Sequence, residues 1–278
     1  MGAMTASSGA FRRVVMSGIQ PSGVPHLGNY FGALRRWAEL QTETPAETPI
    51  YAMVADLHSV TTRLRREAWE ESLSQQVFQT MAAMLASGLD PDRTVLFQQS
   101  AIKEHLELGW LCNSFVTISQ LQKMGQYKAK AGKAGVSAPV GLLVYPVLQA
   151  ADVLLYKATE VPVGEDQSQH FAIVSRCAEK ANHLLGGNRD LAPLFPKPQA
   201  VVSAAAPRLR SLRDPDVKMS KSDPDKKSCI LLSDPPDLVQ EKLKKAVTDS
   251  VSSLFIFLAF QGLVWMPGAV ILERLSSA

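Results

Sequence analysis

Four short apolar runs, each closing on a polar or glycine-rich stretch, constrain this chain more than any other feature. Val14-Val15-Met16 runs into Ser17-Gly18-Ile19-Gln20-Pro21-Ser22-Gly23. Leu27 to Leu40 then carries apolar residues at helical spacing, namely Leu27, Tyr30, Phe31, Leu34, Trp37 and Ala38. Ile50 to Val54 is a second buried-strand candidate and ends at Asp56-Leu57-His58. Arg66 to Ser87 reads as a long amphipathic helix with Gly88 as its C-terminal cap. Thr94 to Phe97 is a third strand after the turn Asp90-Pro91-Asp92, and Val161-Pro162-Val163 is a fourth, leading into Gly164-Glu165-Asp166-Gln167. A helix from His170 to Leu185 follows.

Strands separated by helices imply right-handed βαβ units, and hence an α/β fold with a Rossmann-like, doubly wound parallel sheet. Residues from about Ile102 to Leu155 are mostly helical, with a polar interruption at Lys128 to Ala138, and form a helical insertion between two halves of the sheet. Ligands of such sheets sit beyond the carboxyl ends of the strands. Each polar motif above falls at such an end.

Composition sets the outer limits. At 278 residues the chain holds one large domain or two smaller ones, and 46% hydrophobic against 20% charged residues describes a globular protein with a core. A net charge of +3 permits a polyanionic partner without requiring one. Cys112, Cys177 and Cys229 are scattered, so neither a structural zinc site nor a disulfide framework is indicated. The N-terminal stretch 1–12 is Ser/Ala-rich, lacks acids and has no apolar core of the secretory kind; it faintly resembles an organellar presequence and equally fits a frayed terminus.

Two motifs carry chemistry. Lys218-Met219-Ser220-Lys221-Ser222 sits between Leu212-Arg213-Asp214-Pro215 and Asp223-Pro224, in a loop setting. Two lysines with short hydroxyl side chains beside them suit a mobile polyphosphate clamp, since lysine is a compact charge with three donors and serine a short donor. A solvated basic loop has the same composition. The upstream motif is Gln20-Pro21-Ser22-Gly23-Val24-Pro25-His26-Leu27-Gly28-Asn29, between the first strand and the first helix. Gly28 permits close approach to the backbone, the helix start offers free N–H groups to phosphate, and His26 and Asn29 add donors. A plain βα loop with a capping Asn is the alternative.

Taken together, HLGN near residue 26 and KMSKS near 220 resemble the HIGH and KMSKS pair of class I aminoacyl-tRNA synthetases. Ser17 to Gly23, Leu27-Gly28-Asn29-Tyr30, Tyr145-Pro146, Ala150-Ala151-Asp152, Val161 to Gln167 and Lys245-Ala246-Val247-Thr248-Asp249 narrow the resemblance to tryptophanyl-tRNA synthetases of the bacterial and mitochondrial type. It runs from about Arg13 to Asp249, in the family's order.

The resemblance implies a HUP-type nucleotide-binding domain over 13–249. It also implies activation of L-tryptophan by ATP with Mg²⁺ carried on the phosphates, transfer to tRNA(Trp), and a homodimer. The mitochondrial matrix is the compartment it favours, with the cytoplasm as alternative. It gives Lys218 and Lys221 the pyrophosphate leaving group, places His26 and Asn29 on the other side of ATP and sets Gln20 near the phosphates. Pro21, Ser22, Leu27, Gly28, Met219, Ser220 and Ser222 complete the loops around ATP. Gly164, Glu165 and Asp166 would line the ribose region and Leu209 would lie against adenine. Asp152 would accept the indole N–H, Tyr145 and Gln167 would fix the amino-acid end, and His58 would form a pocket wall. Lys128 and Lys130 resemble family lysines near the polyphosphate, although a solvated face explains them equally.

Read without the resemblance, Asp152 is a carboxylate in an apolar helix and needs a partner, for which a nearby Arg or Lys would serve. His58 reads equally well as a satisfied core histidine. After Asp249 the resemblance stops. Residues 250–278 form a divergent apolar tail where the family would carry its anticodon-recognising helical region, so a charging-deficient fragment that dimerises or regulates is the alternative function. Val251 to Ile271 is about long enough to span a bilayer, but Ser252, Ser253, Gln261 and Pro267 interrupt it and no membrane association is expected.

Overall fold

The structure is a computed structural model that describes residues 11–61, 72–125, 127–128, 138–164, 168–185, 192–202, 209–221 and 223–247. Its centre is a parallel sheet of β1 (Val15–Ile19), β2 (Ile50–Val54), β3 (Val95–Gln98), β4 (Glu160–Val163) and β5 (Gln199–Val202), in the order β3-β2-β1-β4-β5. That order reverses direction beside β1, as in a Rossmann-like sheet, so the crevice for a ligand opens between β1 and β4.

Period-two burial shows why two layers of helices form. In β2, Ala52 and Val54 pack with Leu34, Trp37, Val77 and Met84 on one face, while Met53 packs with Met16, Val147 and Val174 on the other. A strand buried on both sides must be apolar throughout, which is how Ile50 to Val54 reads. The first face is covered by α2 (Arg35–Glu43) and α4 (Leu73–Ala86), and the second by α7 (Val140–Leu155) and α8 (Ser168–Leu185). Leu34, Met84, Val147 and Leu154 are fully buried. Each contributes about 1.5–3 kcal/mol of transfer free energy as an upper estimate.

β1 extends further than the apolar run Val14-Val15-Met16 suggests. Ser17, Gly18 and Ile19 stay in register with Ala52, Met53 and Val54. A Cβ on Gly18 would come within 3.2 Å of the Met53 side chain, so the glycine serves close strand packing rather than a turn. The helix expected over Leu27 to Leu40 begins as α1 (Leu27–Asn29), passes through a π-type turn at Tyr30–Leu34 and ends in α2 at Glu43, and the short α3 (Asp56–Val60) follows β2. α4 ends at Gly88 in the left-handed region, as a capping glycine does. The first part of the helix expected from Arg66 lies outside the described residues.

The insertion is helical where described: α5 (Glu104–Asn113), α6 (Ile118–Gln122) and α7. Pro146 lies inside α7, buried. Beyond the sheet, α9 (Pro236–Lys244) closes the described chain. Among the described residues no helix is long and apolar enough to cross a membrane, and the apolar tail lies outside them.

Candidate active site

β1 and β4 share one register pair, Val15 with Glu160. Pro162 has no N–H to give the ladder, and its carbonyl instead accepts the Ser17 hydroxyl at 2.9 Å. At the closed end Arg13 grips Glu160 through two bonds of 2.7 and 2.8 Å. Beyond the carboxyl ends of the two strands Gln20 and Gly164 emerge exposed.

The upstream motif forms the β1–α1 loop. Pro21 and His26 are buried, Ser22 is exposed, and Gly23, Leu27, Gly28 and Asn29 are half-buried. Asn29 is a capping residue, because its side-chain oxygen accepts the His26 N–H at 3.0 Å. This leaves the amide nitrogen as the donor it can offer a ligand. A Cβ at position 28 would lie 2.7 Å from the His26 ring. Gly28 is thus required by the histidine that packs on it, in addition to any ligand.

The downstream motif meets this loop. Lys221 Nζ donates to the Gly23 carbonyl at 3.1 Å across 198 residues of sequence. Met219 is buried, with its Cβ 4.0 Å from the place a Gly28 Cβ would occupy. Its N–H donates to the Leu209 carbonyl at 3.1 Å, which seats Leu209 beside the loop. Lys218 is exposed and Ser220 half-buried, while Ser222 lies outside the described residues. Burial first, and then the charges of Lys221 and Lys218, push the His26 imidazole down to about 4. His26 is therefore neutral at pH 7. Its Nδ1 is buried and without a hydrogen-bond partner among the described residues. A buried unpaired ring nitrogen between two lysines is an arrangement that a polyanion would complete.

A second tether holds the loop from behind. Residues 230–232 run antiparallel to 25–27: Leu27 N–H donates to the Ile230 carbonyl at 3.0 Å and Leu232 N–H to the Pro25 carbonyl at 2.9 Å. Asp234 accepts the Leu231 N–H at 2.9 Å and also the buried Lys242 ammonium from α9.

A second polar cluster surrounds Asp152 on α7, which is 3% exposed. The expected Arg or Lys partner is absent among the described residues. Oδ1 receives Gln99 Nε2 at 2.8 Å and His105 Nδ1 at 2.7 Å, and Oδ2 receives His58 Nε2 at 2.8 Å. Burial works against the charge, yet the hydrogen bonds from His105 and His58 outweigh it and hold the carboxyl below its usual range. His58 therefore touches Asp152 itself and stands edge-on to Tyr145, at 6.3 Å between ring centres. The Tyr145 hydroxyl pairs with His170 Nε2 at 3.0 Å.

Asp56 organises this pocket from outside. Its carboxylate takes Gln98 Nε2 together with the N–H and hydroxyl of Ser100, clamping the end of β2 to the end of β3. That clamp brings His58 and Gln99 to Asp152. Gln99 and His105 escape a reading of the sequence alone. Their one signal is the polar run Gln98-Gln99-Ser100 at the carboxyl end of β3.

Glu165, Asp166, Gln167 and Lys130 lie outside the described residues, and Lys128 is exposed. No group of three or more His, Cys, Asp or Glu side chains among the described residues could hold a metal.

Comparison with known proteins turns this geometry into a family. The model of class I tRNA synthetases for W and Y matches residues 11–262. The tryptophan–tRNA ligase of Mesorhizobium japonicum is 43% identical over 254 residues, covering 86% of this chain and 69% of that one. The chain belongs to the tryptophan–tRNA ligase family. A second family member, from Caulobacter vibrioides, is 46% identical over 237 residues, and this chain spans 65% of its length. Among solved structures, the tryptophanyl-tRNA synthetase of Mycoplasma pneumoniae superposes with a TM-score of 0.75 at 36% identity, covering 88% of this chain and 68% of that one. The Campylobacter jejuni enzyme, solved with ADP and tryptophan, gives 0.72 at 34%, covering 86% and 69%. The α/β class and parallel sheet expected from the sequence are those of the family. The match to residue 262 runs past Asp249, into the stretch that reads as divergent.

Proposed function

We propose that this chain activates L-tryptophan with ATP and, as a tryptophan–tRNA ligase, passes it to tRNA(Trp). The observation that carries the reading is the contact between the two loops, Lys221 Nζ on the Gly23 carbonyl, beside the neutral His26 whose buried Nδ1 has no partner among the described residues. It brings together motifs 198 residues apart, as a polyanion site would require.

In the first step a tryptophan carboxylate oxygen forms a bond to the α-phosphorus of ATP. The bond from that phosphorus to the bridging oxygen breaks, and pyrophosphate leaves with the electron pair. Neither partner needs a covalent enzyme intermediate, so positioning and charge stabilisation supply the catalysis. Lys218 and Lys221 hold the departing charge. His26 and Asn29 hold ATP from the opposite side, with Gln20, Pro21, Ser22 and Leu27 forming the loop wall and Met219, Ser220 and Ser222 the clamp. The cationic and neutral donors here fit a metal that arrives on phosphate: Mg²⁺ bound to ATP would share the pyrophosphate charge. Gly164, Glu165 and Asp166 serve the ribose and Leu209 the adenine. Asp152 accepts the indole N–H, His58 walls the ring, and Tyr145 and Gln167 fix the amino-acid end.

We infer a catalytic domain over 13–249 with the insertion at about 102–155. A second copy of the chain is the inferred partner of the insertion. α5 buries His105, Gly109 and Cys112 yet leaves Leu106 52% and Trp110 81% exposed, giving it apolar residues on its outer face too. The relatives named above are bacterial, which favours the cytoplasmic alternative over the mitochondrial matrix.

Incubation with ATP, Mg²⁺ and single amino acids, followed by mass spectrometry of the bound fraction, tests the activation step. Tryptophanyl-adenylate is expected, and its absence from an otherwise folded protein overturns the reading. Charging of tRNA(Trp) is then measured directly; adenylate without charging identifies the charging-deficient alternative.

A further inference from the structure

Asp152 has about four acceptor positions on its two oxygens. Gln99 and His105 fill both positions on Oδ1, while His58 fills one on Oδ2. Among the described residues one acceptor position is left, and it belongs to Oδ2. We propose that His105, held by Tyr156, is a positioning residue that sets which oxygen of Asp152 meets the bound side chain, and so sets selectivity for a ring that bears an N–H donor. The proposal rests on the reading of this pocket as a tryptophan site.

His105 is 0% exposed and cannot reach a ligand. Its Nδ1 faces a carboxylate, which only accepts, so Nδ1 carries the hydrogen. In the neutral ring Nε2 is then an acceptor, and the Tyr156 hydroxyl lies 2.9 Å away to donate to it. Burial, with the Asp152 charge added, raises the Tyr156 hydroxyl to about 12, so it retains that proton. The His105 ring stacks on Phe97 at 6.0 Å and lies 5.5 Å from Tyr156. Gln99 is fixed as well, because its Oε1 accepts the Leu57 N–H at 3.1 Å and its Nε2 must therefore point to Asp152. Two of the three donors that hold the carboxylate, His105 and Gln99, are thus themselves held. Removing His105 frees one position on Oδ1, and the carboxylate can turn to share its open acceptor between both oxygens. The acceptor for an indole N–H is then no longer aimed in advance.

The test compares L-tryptophan with its benzothiophene analogue, in which sulfur replaces the N–H, on the full chain. Apparent affinity is measured by calorimetry and KM by amino-acid-dependent exchange of labelled pyrophosphate into ATP. In His105→Leu the tryptophan KM rises about tenfold, the size of one lost hydrogen bond, while the analogue KM holds, so the preference falls by the same factor. His105→Asn, which keeps a donor near the Nδ1 position, restores most of it. Tyr156→Phe removes only the hydroxyl and lowers the preference about threefold; it keeps the test open where His105→Leu does not fold. Equal weakening of both ligands, or an unchanged preference in Tyr156→Phe, overturns the proposal. A parent chain with no preference for tryptophan over the analogue overturns the tryptophan reading itself, and this assignment with it.

Discussion

Lys242→Met is the substitution whose cost follows most directly from the geometry. Lys242 and Asp234 have side chains only 5% and 6% exposed, so the pair is shielded from solvent. The methionine keeps the length and apolar stem of the lysine but removes the cation. Asp234 then stays buried with the Leu231 N–H as its remaining partner among the described residues. Breaking a buried pair from one side costs about 3–5 kcal/mol, because the surviving charge is uncompensated. That is a large part of the roughly 5–15 kcal/mol that holds an ordinary domain together. The exposed pair Lys245–Glu241, by contrast, is screened by solvent and contributes little.

The damage should be local as well. Leu231 lies across from His26, so loosening Asp234 loosens the segment that backs the β1–α1 loop. Urea unfolding followed by circular dichroism measures the first effect, and separate KM values for ATP and tryptophan measure the second. The expected result is a stability loss of about 3–5 kcal/mol, with the ATP KM raised more than the tryptophan KM. The double variant Lys242→Met with Asp234→Leu should regain most of the stability, since replacing both ions by apolar groups is often neutral. A loss below about 1 kcal/mol in the single variant, the range of solvent-screened pairs, would refute the argument from burial.

Three further predictions concern the site. Lys221→Ala should slow adenylate formation about a hundredfold or more while tryptophan affinity changes little, as removal of a charge-stabilising donor does; an unchanged pre-steady-state rate would remove Lys221 from the chemistry. The His26 imidazole, held near 4, should rise toward its ordinary value in Lys221→Met, read by NMR titration. Its folded-state pKa lies below the unfolded one, so the unfolded chain takes up the proton first and stability is lost as pH falls from about 6.5 toward 4. A titration midpoint unmoved by Lys221→Met would show that the lysine does not act on His26. Asp152→Ala should raise the tryptophan KM sharply and leave the ATP KM little changed; survival of both KM and specificity would show that the carboxylate does not read the ligand.

What the sequence discloses, and what it withholds, follows from where each signal resides. Ile50 to Val54 is legible residue for residue because a strand buried on both faces is apolar at every position. The last three residues of β1 are hidden because Ser17-Gly18 carries turn chemistry; only the contact with Met53 explains a glycine there. β5 is four residues long and follows a proline-rich stretch, too little pattern to identify. Asp152 is conspicuous as a charge in an apolar helix, but its partners are not. His58, Gln99 and His105 reach it from 94, 53 and 47 residues away, and nothing local in a single sequence encodes such meetings. The two loop motifs are the reverse case, since their residue types suggest the chemistry although 198 residues separate Gly23 from Lys221. Gly28 is legible as a glycine that permits close approach, but the His26 ring that packs on it is not.

The central claim is that these two loops and the Asp152 pocket form one site that joins ATP to tryptophan. Exchange of labelled pyrophosphate into ATP, run with each amino acid in turn, tests it most directly, because the reaction needs the adenylate step and no tRNA. Exchange should depend on tryptophan, stay near background with phenylalanine and disappear in Lys221→Ala. Exchange supported equally well by phenylalanine, or tryptophan-dependent exchange that survives loss of Lys221, would contradict the account.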